Sequence, residues 1–173
     1  MNGVKDMQEK AGVVVSVVMG SDSDLPVMDE TVKVLEAFSI PHELYLTSAH
    51  RTPDRTAQFA RGAAKRGVRV IIVGAGAAAH LAGVIASQTL LPVIGVPIDA
   101  SSLQGLDALL ATVQMPGGVP VATVAIGKAG AKNAALLAVR ILALDDADLL
   151  KKLQTYVRKM AQEVERKHEN LKK

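Results

Sequence analysis

The chain has 173 residues, of which 49% are hydrophobic and 2% aromatic, no cysteine, and a formal net charge of +3. This length fits one domain with a substantial aliphatic core, and the lack of cysteine excludes disulfides, thiolate metal sites and cysteine nucleophiles. Residues 151–173 carry eight Lys or Arg and three Glu, so the rest of the chain is slightly acidic. Because few aromatic rings are available to stack on bases, we expect no nucleic-acid partner.

In chain order, the first predicted element is a polar N-terminal segment, residues 1–12, which carries both charge signs and is unlike a secretory signal peptide. The apolar run that follows it, Val13–Met19, is far too short to span a bilayer. We therefore predict a cytoplasmic protein without a membrane partner.

From residue 13 onward, strand-like and helix-like segments alternate. Most predicted strands are β-branched runs without alternation, as in strands buried on both faces. The five predicted strands are Val13–Met19, His42–Thr47, Val70–Val73, Val93–Val96 and Val121–Ile126. Helices are predicted between and after them at Leu25–Phe38, Pro53–Arg66, Ala78–Thr89, Leu103–Val113, and from the fifth strand to about Leu144.

Capping residues mark the ends of two of these helices. Asp24 or Ser23 is placed to cap the first helix, and Thr52 can cap the second, with Pro53 at its first position. Gly67 supplies the C-terminal stop of the second helix.

Five buried strands with interleaved helices predict a parallel sheet with helices on both faces, a three-layer α/β/α sandwich. Among doubly wound orders we choose the flavodoxin-like order 2-1-3-4-5, which the sequence alone does not determine. The predicted catalytic domain covers residues 13–144, and residues 145–173 form an added C-terminal helix.

The C-terminal helix is predicted to open at the acidic residues 145–148 and to reach towards Asn170. At 1.5 Å per residue it is roughly 35 Å long, about the width of a small domain. Its apolar residues lie on one face at spacings of three and four: Leu149, Leu153, Val157, Met160 and Val164. This face either packs on its own sheet or docks on a neighbouring subunit, and we favour docking because the stripe outlasts the expected sheet.

Ligands of doubly wound sheets bind beyond the carboxyl ends of strands where the order reverses. The loop after the first strand, residues 20–24, combines backbone N–H groups and hydroxyls at a helix start, a natural anion site. A carboxylate repels phosphate, so Asp24 better suits a ribose diol. Plain helix capping is the alternative for this loop.

The loop after the second strand, residues 48–53, places His50 beside Arg51 at a strand end. Arginine grips phosphate through two parallel hydrogen bonds, and histidine exchanges protons near neutral pH. A lone histidine is usually structural or merely exposed, but an adjacent arginine at this edge favours a functional role.

The loop after the third strand, Gly74–His80, matches the dinucleotide pattern G-x-G-x-x-A, and Asp99 ends the next strand. That fingerprint belongs in the first βα turn rather than the third. The small side chains equally allow a flat ring to approach the backbone, or the helix to pack closely on the strand.

Metal ligation is not indicated, because the four histidines, His42, His50, His80 and His168, are scattered without helical pairing. The sequence also lacks a nucleophile elbow and a Walker motif. We therefore expect neither a metal nor a cofactor.

At these residues the sequence resembles the PurE family of N5-carboxyaminoimidazole ribonucleotide (N5-CAIR) mutases. The resemblance covers about residues 13–144 in many ordered segments, which makes it highly specific. The segments are 19–24, 48–53, 74–81 with Gly83, Pro97, 114–116 and 120–137.

The resemblance implies a homo-octamer that converts N5-CAIR to 4-carboxy-5-aminoimidazole ribonucleotide without cofactor or metal, with His50 as the general acid and base. The implied substrate-binding residues belong to the three loops: Ser21, Ser23, Asp24, Ser48, Arg51, Gly76, Ala77 and His80. In this assignment Ser21, Asp24 and Arg51 hold the nucleotide, and His80 with the glycine turn lines the base and carboxyl pocket.

The family also contains direct carboxylases, which typically carry lysine where Arg51 stands and lack the His80 motif, so this chain is more similar to the mutases. The chemistry suits one imidazole. The N-carboxylate of N5-CAIR is a carbamate, and protonation of its nitrogen by the imidazole lets CO2 leave. The same imidazole later takes the proton of the ring carbon. Two alternatives remain open: a nicotinamide- or flavin-binding protein, and a non-catalytic nucleotide sensor that needs Arg51 and Ser21 but not His50.

Overall fold

The computed structural model describes residues 12–171, and its centre is a five-stranded, all-parallel sheet. Residues 1–11 of the predicted polar N-terminal segment lie outside the described residues. The strands are β1 (Val15–Met19), β2 (His42–Leu46), β3 (Val70–Gly76), β4 (Val93–Ile98) and β5 (Ala122–Thr123). Their spatial order, β2-β1-β3-β4-β5, confirms the predicted flavodoxin-like order.

Helices cover both faces of this sheet, which confirms the three-layer α/β/α prediction. They are α1 (Leu25–Ala37), α2 (Pro53–Ala63), α3 (Leu81–Ala86), α4 (Leu106–Val113), α5 (Gly127–Leu142) and α6 (Ala147–Asn170), with 3₁₀ turns at Asp22–Asp24 and Ala64–Arg66. Across residues 12–171, each helix falls short of the length or apolarity needed to cross a bilayer.

Two aliphatic cores lie on the two faces of the sheet because successive strand side chains point in opposite directions. Val17 and Ile72 belong to the core under α1 and α5. Val18 and Ile71, each one residue away, belong to the core under α2, α3 and α4. All four side chains are fully buried, as continuous apolar strands of a parallel sheet require.

Strands β3 and β4 extend further towards the carboxyl edge of the sheet than predicted. Gly74 and Gly76, predicted to form a turn, pair in parallel register with Val96 and Ile98 of β4. A Cβ at Gly74 would collide with the Sδ atom of Met28, so this fully buried side chain would have to shift. The turn prediction for these glycines was therefore wrong.

Left-handed backbone sets where the next helices begin. Ala77 has φ +50, so α3 starts at Leu81 rather than at Ala78, and it ends at Ala86. Gly105 has φ +83, so α4 starts after it at Leu106 rather than at Leu103. The fifth strand is also much shorter than predicted, with only two residues paired to β4.

Asp24 and Thr52 occupy the predicted N-cap positions of α1 and α2, but neither side chain makes a capping hydrogen bond there. Ser21 caps the 3₁₀ turn that precedes α1, in a capping box with Asp24, whose carboxylate turns back to the amide of Ser21. The hydroxyl of Thr52 bonds the amide and carbonyl of Ser48 instead of capping α2. Gly67 is left-handed at φ +92 and ends the second helix as predicted.

Helix α6 divides into a half on the domain and a half beyond it. Leu149 and Leu153 are buried in the core, and the ring of Tyr156 lies 5.5 Å from that of Phe38. Later apolar residues of the predicted stripe are exposed, and Val164 is 67% exposed. The first half therefore packs on its own domain, and docking of the second half on a neighbouring subunit stays a prediction.

Candidate active site

The three loops after β1, β2 and β3 meet at the carboxyl edge of the sheet. The amide of Gly20 donates to the carbonyl of Gly74 at 3.3 Å, and a guanidinium N–H of Arg51 donates to the carbonyl of Gly20 at 3.3 Å. Between them lies a cleft of about 360 Å³. Eight of the nine predicted site residues line this cleft, with His80 as the exception.

The first loop is ordered by its own serines. The amide of Ser23 donates to the hydroxyl of Ser21 at 3.3 Å, and the Ser23 hydroxyl donates to the same oxygen at 2.8 Å. Asp24 is buried and accepts the amide of Ser21 at 3.0 Å. Burial raises the pKa of the Asp24 carboxyl, while the backbone N–H groups of Ser21 and Gly20 oppose that shift.

The second loop is held by threonine hydroxyls, of which the sequence had pointed only to Thr52, as a helix cap. Thr47 Oγ1 lies 2.8 Å from the hydroxyl of Thr56 and 3.1 Å from that of Thr52. Ser48 accepts the backbone amide of Arg51 at 3.2 Å and its Nε–H at 3.4 Å. This network fixes the base of the Arg51 side chain and aims its guanidinium along the first loop.

His50 and His80 form a hydrogen-bonded pair across 30 residues of sequence. His50 Nε2 lies 2.9 Å from His80 Nδ1, with the ring centroids 5.1 Å apart and the planes at 82°. Because one nitrogen must donate and the other must offer a lone pair, at least one ring of the bonded pair is neutral. His50 lines the cleft and His80 stands beside it, outside the lining.

The third loop forms a wall of backbone and methyl groups. Gly76 has no room for a side chain, because a Cβ there would lie 2.6 Å from the Cβ of Ala100. Ala77 and Ala78 continue the wall, and the left-handed φ of Ala77 turns the chain out of the sheet. Such a wall lets a flat ring approach the backbone closely.

Six residues of the lining were not among the predicted site residues: Gly20, Ala49, Ala75, Ala78, Leu81 and Ala100. Ala100 lies two residues after Ile98, the β4 partner of Gly76 at the end of β3, so the strand order pointed to this edge. Asp99, the acidic partner required by the dinucleotide alternative, is absent from the described lining of the cleft.

Metal ligation is not supported by side-chain placement within residues 12–171, where no three His, Asp or Glu side chains come together around a common point. The polar groups of the cleft are hydroxyls, backbone amides, one guanidinium, one imidazole and the carboxyl group of Asp24. These are groups that bind an anion and move a proton.

Comparison with known proteins places these features in a family. A family model described as AIR carboxylase matches residues 14–163. The N5-carboxyaminoimidazole ribonucleotide mutase of Pyrococcus horikoshii is 56% identical over 157 residues, which cover 91% of this chain and 88% of that protein. The phosphoribosylaminoimidazole carboxylase of Schizosaccharomyces pombe is 51% identical over 170 residues, which cover 98% of this chain but 30% of that longer protein.

Similarity extends to the solved fold. The crystal structure of Treponema denticola PurE superposes with a TM-score of 0.83 at 28% identity, covering 92% of this chain and 99% of that one.

Proposed function

The chain belongs to the AIR carboxylase family, and on that premise we propose how its cleft converts N5-CAIR to 4-carboxy-5-aminoimidazole ribonucleotide. It is an isomerase of purine biosynthesis, of the kind named in relatives that match it over most of both lengths. The observation that carries the proposed mechanism is the meeting of Arg51, the Ser21 loop and His50 around one cleft.

Binding begins at the first two loops. The Arg51 guanidinium, 3.3 Å from the carbonyl of Gly20, brings its positive charge to the hydroxyls of Ser21 and Ser23. We assign the 5′-phosphate to this group and the ribose hydroxyls to Asp24, which borders the same cleft. Ser48 supports the assignment by bonding the Arg51 side chain at its Nε.

Chemistry follows at His50. The imidazolium of His50 donates its proton to the carbamate nitrogen, the C–N bond breaks with its electron pair left on nitrogen, and CO2 is released. The ring carbon then attacks CO2, forming the new C–C bond. Neutral His50 removes the proton of that carbon, which restores the imidazolium. Because the aminoimidazole is itself the nucleophile, no cofactor takes part.

Two neighbours support this proton carrier. His80, bonded to His50 at 2.9 Å, serves as a neutral hydrogen-bonding partner that orients the ring. The wall of Gly76, Ala77 and Ala100 confines CO2 beside the ring carbon, so that recarboxylation outpaces escape.

The reaction can be tested on the purified protein. N5-CAIR should isomerise without added metal or nucleotide. In parallel, aminoimidazole ribonucleotide supplied with isotopically labelled bicarbonate at physiological concentration should be carboxylated far more slowly. Equal rates in the two assays would identify a direct carboxylase, and no turnover in either would contradict the mutase function.

We also propose that the protein is a cytoplasmic homo-octamer. Cytoplasmic location is supported by the absence of cysteine. Assembly is supported by an apolar face on and beside α4, where Leu103, Leu106, Leu110 and Val113 are 47–60% exposed at spacings of three and four. Self-complementary faces of this kind usually close into symmetric assemblies. Light scattering should give eight subunits, and a monomer mass would contradict the proposal.

A further inference from the structure

The turn between β2 and α2, residues 48–52, carries site residues that lie outside the core of the domain. Ser48 is half-buried, and His50 and Arg51 are exposed. A long polar side chain on an exposed turn samples many positions unless hydrogen bonds fix the backbone that carries it. The conformation of this turn therefore determines how well its imidazole and its guanidinium meet one substrate.

Thr52 closes this turn through its hydroxyl group. Thr52 Oγ1 accepts the amide of Ser48 at 3.0 Å and lies 3.0 Å from the carbonyl oxygen of Ser48. The amide of Thr52 donates to the same carbonyl at 2.9 Å. Both backbone polar groups of Ser48 are thus bonded to Thr52, and residues 49–51 are confined within a closed ring.

Two buried threonines anchor this hydroxyl from inside the domain. Thr47 Oγ1 lies 3.1 Å from Thr52 Oγ1 and 2.8 Å from Thr56 Oγ1. The hydroxyl oxygen of Thr56 lies 3.1 Å from the carbonyl oxygen of Thr52. Thr47 and Thr56 are both buried, and the amide of Thr47 donates to the carbonyl of Met19 in β1 at 3.0 Å. The hydroxyl cluster therefore connects the end of the sheet to the turn of residues 48–52.

The hydroxyl hydrogens of these threonines can bond the cluster in two directions. In one, Thr52 donates to Thr47, Thr47 to Thr56, and Thr56 to the carbonyl of Thr52. In the other, Thr56 donates to Thr47, Thr47 to Thr52, and Thr52 to the carbonyl of Ser48. Both directions leave a lone pair of Thr52 Oγ1 for the amide of Ser48. Removal of the Thr52 hydroxyl would break the cluster in either case.

We propose that Thr52 is a positioning residue, whose hydroxyl holds the turn in the conformation that lets Arg51 bind phosphate and His50 reach the reacting atoms. Thr52 acts through Ser48, whose hydroxyl accepts the amide of Arg51 at 3.2 Å and its Nε–H at 3.4 Å. Thr52 itself is absent from the described lining of the cleft. The proposal rests on the function proposed for this cleft and adds a residue that supports it from behind.

Substitutions at Thr52 separate the hydroxyl from the shape of the side chain. Thr52→Val removes the hydroxyl, so kcat for N5-CAIR should fall roughly ten- to a hundredfold and nucleotide affinity about fivefold. Thr52→Ser keeps the hydroxyl and should retain most of both quantities. Thr155→Val is the matched control, because Thr155 is also exposed and its hydroxyl also bonds the carbonyl four residues earlier. This control should leave both quantities unchanged.

Two further measurements identify the route. If Thr52 acts on binding through Arg51, Thr52→Val should weaken nucleotide binding no further in a chain that already carries Arg51→Ala. Without any ligand, the backbone amide of Ser48 should exchange with deuterium about two- to tenfold faster in Thr52→Val than in wild type. A purely structural role would lower Tm and leave the kcat and the affinity of the folded protein unchanged.

The outcomes decide the proposal. Loss of kcat and affinity in Thr52→Val, retention in Thr52→Ser and no further loss beside Arg51→Ala support it. Wild-type kinetics in Thr52→Val, equal losses in Thr52→Ser, or unchanged exchange of the Ser48 amide would overturn it and leave the mutase function standing. Additive losses of affinity in the double variant would overturn it as well. Wild-type protein that neither binds the nucleotide nor turns over N5-CAIR would overturn the proposed function, and this proposal with it.

Discussion

The most specific steric prediction concerns a side chain introduced at Gly76. Gly76 ends β3 in register with Ile98, and Ala100 stands directly against it. In Gly76→Ala, the new Cβ would lie 2.6 Å from the Cβ of Ala100 and 3.2 Å from the carbonyl oxygen of Ile98. Carbon atoms pack at about 3.5–4.0 Å, so the ends of β3 and β4 must separate by about 1 Å.

The magnitude follows from that displacement. Overpacking of this kind typically costs about 1–3 kcal/mol, which for a chain of this size lowers Tm by roughly 2–12 °C. The larger effect should fall on catalysis, because the wall that we propose to confine CO2 would move away from His50. A shift of about 1 Å in a positioned site can cost on the order of a hundredfold in kcat/KM.

The assay compares mutase kcat/KM and Tm across three variants. Gly117→Ala is the matched control, because a Cβ there meets nothing within 4 Å. Combining Gly76→Ala with Ala100→Gly removes the closest clash and should restore most of both quantities. If Gly76→Ala behaves like Gly117→Ala, or if the double variant shows no recovery, the role of the wall is wrong.

Two further predictions concern the first two loops. Arg51→Ala should weaken nucleotide binding by about 2–5 kcal/mol, or at least thirtyfold, and Arg51→Lys should recover only part of this loss. Equal nucleotide affinities of wild type and Arg51→Ala, measured by calorimetry, would refute the assignment of the phosphate to Arg51. Burial raises the pKa of Asp24, so its protonated form favours folding, and this contribution is present at low pH and lost as pH rises through the raised folded pKa. Between pH 4 and 7, the free energy of unfolding measured with urea should therefore fall more for wild type than for Asp24→Asn. Equal falls in the two proteins would refute the raised pKa of Asp24.

Much of the architecture could be predicted because its causes are local. Continuous β-branched runs such as Val70–Val73 predict buried parallel strands, and Gly67 predicts a helix end. Once the order 2-1-3 is chosen, the loops after the first three strands must share one edge. That is why residues as distant as Ser21 and Arg51 could be placed around one cleft.

The remaining features depend on contacts that no local pattern encodes. The sequence around Gly74 and Gly76 is typical of a turn. In the structure a strand continues through both residues, and Met28 and Ala100 pack where their side chains would otherwise lie. The bond between His50 and His80 arises from the approach of two loops, and neither residue's neighbours in sequence indicate it.

For a related reason, the sequence could place Asp24 at the N-cap of α1 but could not show that Ser21 makes the capping bond, at the preceding 3₁₀ turn. Ser21, Ser23 and Asp24 are all acceptable capping residues, so composition cannot choose among them. In the structure the Asp24 carboxylate is buried and accepts the amide of Ser21, and Ser21 caps a 3₁₀ turn that precedes α1.

The most direct test of the account is turnover of N5-CAIR by His50→Asn beside His80→Asn, with nucleotide affinity measured on both. A positioned acid and base is worth about 10²–10⁴-fold in rate, and in the proposed mechanism His50 acts in two steps. His50→Asn should therefore lose nearly all turnover while its nucleotide affinity stays within about tenfold, and His80→Asn should be slowed less. Substantial activity in His50→Asn, with His80→Asn inactive, would contradict the central assignment of the proton carrier.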